Sequence, residues 1–194
     1  MAGIDGAAQV IETEFHFPYL AHAALEPLDA VLEMTDGKAE LWMGSQFPSL
    51  DKPTLAATLG INPSDVQINV MFAGGNGAWK LLWTREDDMT GGYYRPLTVH
   101  KMKGGLDADG NIVGWHDVVV NQSIMAGGPM EAMMKDGMDP TSYEGATKMP
   151  YDLPALKVDW VRQDSPVSVL WWRSVGHSHT GYATEVFLDQ LLEA

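Results

Sequence analysis

The sequence predicts an α+β fold, mostly antiparallel strands with two helices. Three observations predict it. Apolar residues alternate with polar ones over short stretches, which is the period of a half-buried strand. Those stretches are separated by turn signals such as Asp36-Gly37 and Asp109-Gly110. Only two stretches carry signals of a longer helix. With 194 residues, 45% of them hydrophobic, the chain reads as a single domain over 1–194, with 1–12 a flexible leader.

Taken in order, residues 12–17 form a strand that runs into Pro18. Residues 30–34 and 39–43 flank Asp36-Gly37, a strong hairpin signal. A helix follows, with Ser49 or Asp51 as its cap, Pro53 in its first turn and Gly60 at its C-terminal stop. Val66, Ile68, Val70 and Phe72 then alternate with Gln67, Asn69 and Met71 as a strand. A strand over 80–84 comes after Gly74-Gly75-Asn76-Gly77. Strands over 97–103 and 112–121 are joined by the turn at 107–111. Residues 125–140, rich in Met and Gly, carry no clear period. A strand over 156–161 precedes a helix over 180–192, whose apolar stripe is Ala183, Val186, Phe187 and Leu191.

Composition removes several functions. Twelve basic against 26 acidic residues give a net charge of -14. That surface repels phosphate backbones, so nucleic acid is not an expected partner, and anionic membranes are disfavoured for the same reason. With no cysteine, disulfides, iron–sulfur clusters and thiolate metal sites are excluded. No apolar run reaches the ~18 residues of a membrane span, and the N-terminus lacks the features of a signal peptide. The compartment stays open.

Several motifs then occur in a definite order: FPYLAHAALEP (17–27), WMGSQF (42–47), WTREDDM (83–89), GGYYRP (91–96) and GLDADG (105–110). Glu144-Gly145, PYDLP (150–154), LWWRSVGHSHT (170–180) and EVFLD (185–189) follow. Together they resemble the molybdopterin-binding subunits of the xanthine oxidase superfamily, of the bacterial isoquinoline oxidoreductase and aldehyde dehydrogenase type. The resemblance covers nearly the whole chain. It implies an oxidoreductase that hydroxylates an aldehyde or N-heterocycle carbon, with a molybdopterin cofactor of the cytosine dinucleotide type. It implies that Gln46 contacts the molybdenum oxo group, where a side-chain amide can donate. Gly74 and Gly75 match a glycine-rich loop whose backbone lies against the cofactor. Arg173 matches an arginine of the substrate and cofactor region. Glu26 matches a position that lines the substrate pocket.

The sequence also departs from that family. After Gly74-Gly75 the family continues through a helix and a return strand of roughly thirty residues, a strand–helix–strand crossover in size. Here Asn76-Gly77-Ala78-Trp79 stands in its place. A parallel pair needs a connection of a dozen or more residues, so the strands around this segment are expected to form an antiparallel hairpin, or one of them leaves its family position. The family's later half, with its glutamate base, and its upstream domain lie outside this sequence. An isolated chain is therefore expected to hold an incomplete active site, which a complementary subunit could supply.

Each residue also has a plainer reading. Gln46 can satisfy a turn, Glu26 can be an exposed turn acid, and Arg173 can stack on Trp171 or Trp172 or pair with an acid. His177 and His179, spaced i and i+2, would point the same way on a strand and could bind zinc or copper with Glu185 or His22, while their plainer reading is helix entry and backbone bonding. Two further functions stand beside the oxidoreductase fragment. One is a non-catalytic scaffold or self-assembling homo-oligomer, since removing neighbouring domains exposes apolar faces. The other is a small metal-dependent enzyme built on His177 and His179.

Overall fold

A computed structural model describes residues 2–25, 27–71 and 79–194. In chain order the elements are α1 (Ala2–Asp5), β1 (Gln9–Phe17), β2 (Leu20–Ala21), β3 (Asp29–Thr35), β4 (Lys38–Met43), α2 (Pro48–Leu59) and β5 (Val66–Val70). There follow β6 (Trp79–Leu82), α3 (Arg85–Gly91), β7 (Tyr94–Arg95), β8 (Thr98–Leu106), β9 (Ile112–Asn121), β10 (Leu156–Arg162) and α4 (His177–Glu193). The α+β class is as expected, with α2 and α4 the two long helices. The chain divides into two compact units: residues 1–21 with 93–194, and residues 22–92.

The first unit is a sheet in the order β1-β8-β9-β10. The pairs β1–β8 and β8–β9 are antiparallel, and β10 lies parallel to β9. Alternation decides which residues face inward. On β8 these are Thr98, His100, Met102 and Gly104, and on β9 Trp115, Asp117, Val119 and Asn121, all buried. Helix α4 lies on that face. Met102, Leu106, Trp115, Ala183, Phe187 and Leu191 form the core, with the Trp115 and Phe187 rings edge to face at 4.9 Å. Gly104 lets the helix come this close, because a Cβ there would stand 2.6 Å from Leu191. The segment read as a leader begins with α1, whose Ile4 is buried over Gly114, and β1 already starts at Gln9.

The Met- and Gly-rich stretch contains two short 3-10 turns, Glu131–Met133 and Pro140–Ser142. It is organised around Asp139, which is fully buried. The Asp139 carboxylate accepts from Ser123 Oγ (2.7 Å), Ile124 N (2.8 Å), Met125 N (3.1 Å) and both Thr141 donors. Burial works to raise this carboxyl, but the bonds from Thr141, Ser123 and the Met125 amide outweigh it and hold it below its ordinary value.

The second unit is a sheet in the order β5-β4-β3-β6. The β3–β4 hairpin turns through Asp36 and Gly37, both at positive φ (50° and 78°), as the motif predicts. Helix α2 stops at Gly60, whose φ of 68° gives a left-handed cap. Its start differs from expectation: the N-cap is Phe47, and Asp51 instead accepts a bond from the Ser45 hydroxyl. Ala39, Ala56 and Val66 are the buried centre beneath α2.

Of the two arrangements expected for β5 and β6, the antiparallel hairpin does not form. The two strands take opposite edges of the sheet, β5 parallel to β4 and β6 antiparallel to β3. The β3–β4 hairpin occupies the centre and offers one free edge on each side. The parallel pair is β4–β5, and α2 supplies its crossover. The segment over 80–84 ends sooner than expected. Thr84 caps α3, its hydroxyl accepting from the Asp87 amide while the Asp87 carboxylate accepts from the Thr84 amide. Arg85 then bridges Asp88 (2.9 Å) and the carbonyls of Ala24 and Leu25. No helix among the described residues is long and apolar enough to cross a membrane.

Candidate functional site

The head of α4 gathers the most unusual geometry of the first unit. Residues 168–170 are fixed first: Tyr94 N donates to Ser168 O (3.0 Å) and Leu170 N to Tyr94 O (3.0 Å). Leu170 and Trp171 then form a wall of a cleft of about 540 Å³, shared with Tyr93, Met125 and Arg162. From that wall the chain enters a tight turn. Val175 N donates to Trp172 O and His177 N to Ser174 O, both at 2.9 Å. Ser174 and Val175 both sit at positive φ, 65° and 48°. A β-branched residue in that region is strained, and such strain persists only where the surroundings enforce it.

The surroundings here are residues 144–145. A Cβ on Gly176 would stand 2.6 Å from Glu144 N, and one on Gly145 (φ 94°) would stand 2.5 Å from Thr180 Oγ1. Both positions need glycine for close approach. The Thr180 hydroxyl donates to Glu144 O at 2.7 Å and closes the contact. The first helical turn reads His-Ser-His-Thr and holds no carboxylate of its own, and Glu144 lies 3.6 Å from His177 at that end. Ser178 Oγ is shielded from solvent and has no hydrogen-bond partner among the described residues. Arg173, directly before the strained pair, is exposed.

Beneath this turn runs a buried polar chain. The Asp117 carboxylate lies 2.9 and 3.1 Å from His100 Nδ1, and His100 Nε2 lies 2.9 Å from His179 Nδ1. His100 pairs across the ladder with Val119, so Asp117 is its diagonal neighbour on the same face. All three residues are buried. Phe17 sits among them, its ring 5.8 Å from His100, 6.0 Å from His179 and 5.9 Å from the Arg95 guanidinium. Arg95 is buried and its Nε has no partner among the described residues. Burial lowers the Arg95 guanidinium from its ordinary value. Burial, followed by the charges of His100, Arg95 and His177, pushes His179 down to about 3, so its ring is neutral near pH 7.

The residues expected from the sequence fall out as follows. Arg173 lies at the turn just described. Gln46 is exposed in the other unit, between β4 and α2. Glu26, Gly74 and Gly75 lie outside the described residues. His177 and His179 do not point together, because α4 begins at His177 and two helical residues stand about 200° apart. His177 is exposed, 3.6 Å from Glu144, while His179 is buried. Glu185 accepts a bond from Tyr151 (2.6 Å). Among the described residues no group of three ligating side chains gathers around them. His100 and Asp117 were missed. Their signal was the alternation of β8 and β9, which puts both on the inward face, where an ionisable residue needs a partner.

Comparison with known proteins gives one consistent result. Residues 1–77 match the family model described as the molybdopterin cofactor-binding domain. The chain is 26% identical to the isoquinoline 1-oxidoreductase subunit beta of Brevundimonas diminuta, over 87% of this chain and 25% of that protein. It is 28% identical to a membrane-bound aldehyde dehydrogenase of Gluconacetobacter polyoxogenes, over 97% of this chain and 29% of that one. In fold it is similar to the aldehyde oxidoreductase of Desulfovibrio gigas, with a TM-score of 0.76 at 18% identity, covering 99% of this chain and 23% of that one. It is likewise similar to quinoline 2-oxidoreductase of Pseudomonas putida 86, with a TM-score of 0.75 at 15% identity, covering 99% and 27%. The chain thus spans about a quarter of the length of the curated relatives it matches.

Proposed function

We propose, from this likeness to molybdopterin-binding subunits, that the chain is a cofactor-facing portion of a molybdenum hydroxylase. In this reading the head of α4 faces the cofactor, and a complementary chain or segment completes the active site. The observation that carries it is the strained pair Ser174–Val175 directly behind exposed Arg173, inside a motif of the resemblance. The donors there suit an anionic, oxygen-rich group. Arg173 is a planar guanidinium, and Ser178 Oγ has no partner among the described residues. By the same resemblance Gln46 is an amide donor to the oxo group, Gly74 and Gly75 approach the cofactor through their backbone, and Glu26 lines the substrate pocket. When bound, such a cofactor supplies the oxidation and reduction at the substrate carbon. The chain's own residues bind it, orient it and shield it from water. The cytosine dinucleotide form and aldehyde or N-heterocycle substrates belong to this reading.

The test is elemental analysis of the chain purified from a host that makes the cofactor, with pterin fluorescence after oxidation. The expected result is molybdenum near one per chain in wild type and a clear loss in Arg173→Ala. Molybdenum and pterin both absent would overturn the reading.

A second reading, a self-assembling module, is favoured by Val70, Leu81 and Leu82, exposed on the two edge strands of the second unit. A mass by light scattering that rises with concentration in metal-free protein supports it, and a monomer at all concentrations overturns it.

A further inference from the structure

We propose that Asp117, His100 and His179 form a positioning chain that fixes the rotation of the first turn of α4, and through it the strained turn that carries Arg173. The bearing of that turn on a cofactor rests on the reading above, but the positioning itself does not.

The chemistry of the chain is directional. An ionised carboxylate only accepts, and both Asp117 oxygens face His100 Nδ1, so that nitrogen carries a proton. The contact between His100 Nε2 and His179 Nδ1 then shares one proton between two rings. Asp117 therefore sets the tautomer of His100, and His100 sets the face that His179 presents. His179 lies in the first turn of α4, five residues after Ser174 and four after Val175. Its bond to β8 joins residues 79 apart in sequence and orients the helix head about its axis. The hydrophobic contacts of Ala183, Phe187 and Leu191 begin a full turn further on and can slide by a rotamer. A hydrogen bond between two buried rings cannot. Thr180 to Glu144 O adds a second tie about 100° further round the same turn. Between these two ties the backbone at Ser174 and Val175 is held in the left-handed region.

The test uses the whole chain without cofactor. Histidine ring ¹⁵N signals report the tautomers, and amide exchange reports local order. Asp117→Asn can invert the direction of both bonds, so the ring signals of His100 and His179 are both expected to move. Exchange at amides 174–178 is expected to quicken by about tenfold, while β8 and β9 amides change little. The variant carrying His100→Leu with Asp117→Leu replaces the buried pair by apolar volume, which folded cores tolerate. It should keep β8 and β9 protected and still loosen residues 174–178. His100→Gln offers both a donor and an acceptor and should restore most of the protection. Unchanged His179 signals in Asp117→Asn would overturn the proposal. So would loosening of residues 174–178 in step with the whole sheet. No step involves molybdenum, so its absence from the purified chain leaves this result standing, and failure here leaves the cofactor test untouched.

Discussion

The two units use the same parts differently. Each is a four-stranded sheet with one long helix packed on a face. The first unit has long strands, a core of large side chains and an ionisable chain sealed inside it. The second has shorter strands and a buried centre of Ala39, Ala56 and Val66. Its buried charge among the described residues, Asp88, pairs with the more exposed Arg85. Apolar volume alone gives a fold its stability but leaves neighbouring arrangements close in energy. A satisfied polar chain singles one of them out. The unit with the strained turn is the one that carries such a chain.

The largest effect that would test this contrast is in the core of the first unit. Phe187→Ala removes a fully buried ring and is expected to cost about 3–5 kcal/mol. Exchange mass spectrometry should show lost protection in β8, β9 and α4, with β4 and β5 retained. Loss in both units together would mean that they unfold as one cooperative body, and the contrast would break.

A smaller effect comes from pH. The folded value of His179 lies below its ordinary 6.5, so folding favours its neutral form. Its contribution is fully present above pH 6.5 and is lost as the pH falls from there towards about 3. Denaturant midpoints of the first unit should therefore drop across that window, less so in His179→Gln. An equal drop in the variant would assign the effect to other groups.

The smallest expected effect lies in the second unit. Thr84→Ala removes one half of the capping box of α3 and should cost about 1 kcal/mol. A change confined to residues 84–91 would sharpen the picture of a unit held by local devices. A change felt in β8 would count against it.

Much of this fold was legible because its signals are local. Asp36-Gly37, Gly60 and the alternation of β9 each depend on a few neighbouring residues. The cap Thr84-x-x-Asp87 was equally local, yet a strand reading over 80–84 hid it. The choice between a hairpin and a displaced strand stayed open for a different reason. Loop length restricts a pair of strands but does not say which edge of a sheet is free, and β3–β4 decided that. The metal reading of His177 and His179 used the period of a strand, whereas the helix starts at the first of them, in line with their other reading as helix entry. The Asp117–His100–His179 chain needed a register between distant segments, which no short window contains.

The stretch around Asp139 has a kinetic side. β9 and β10 run parallel, so residues 122–155 must be gathered before the last strand can pair. Closing a long loop is slow because its ordering comes before any contact rewards it. Asp139 divides that closure in two. Its carboxylate ties back to Ser123, Ile124 and Met125 within a short span, using groups that need no sheet to meet. Only residues 140–155 then remain as open chain. A buried acid in the middle of an irregular segment thus shortens the loop that separates the two parallel strands.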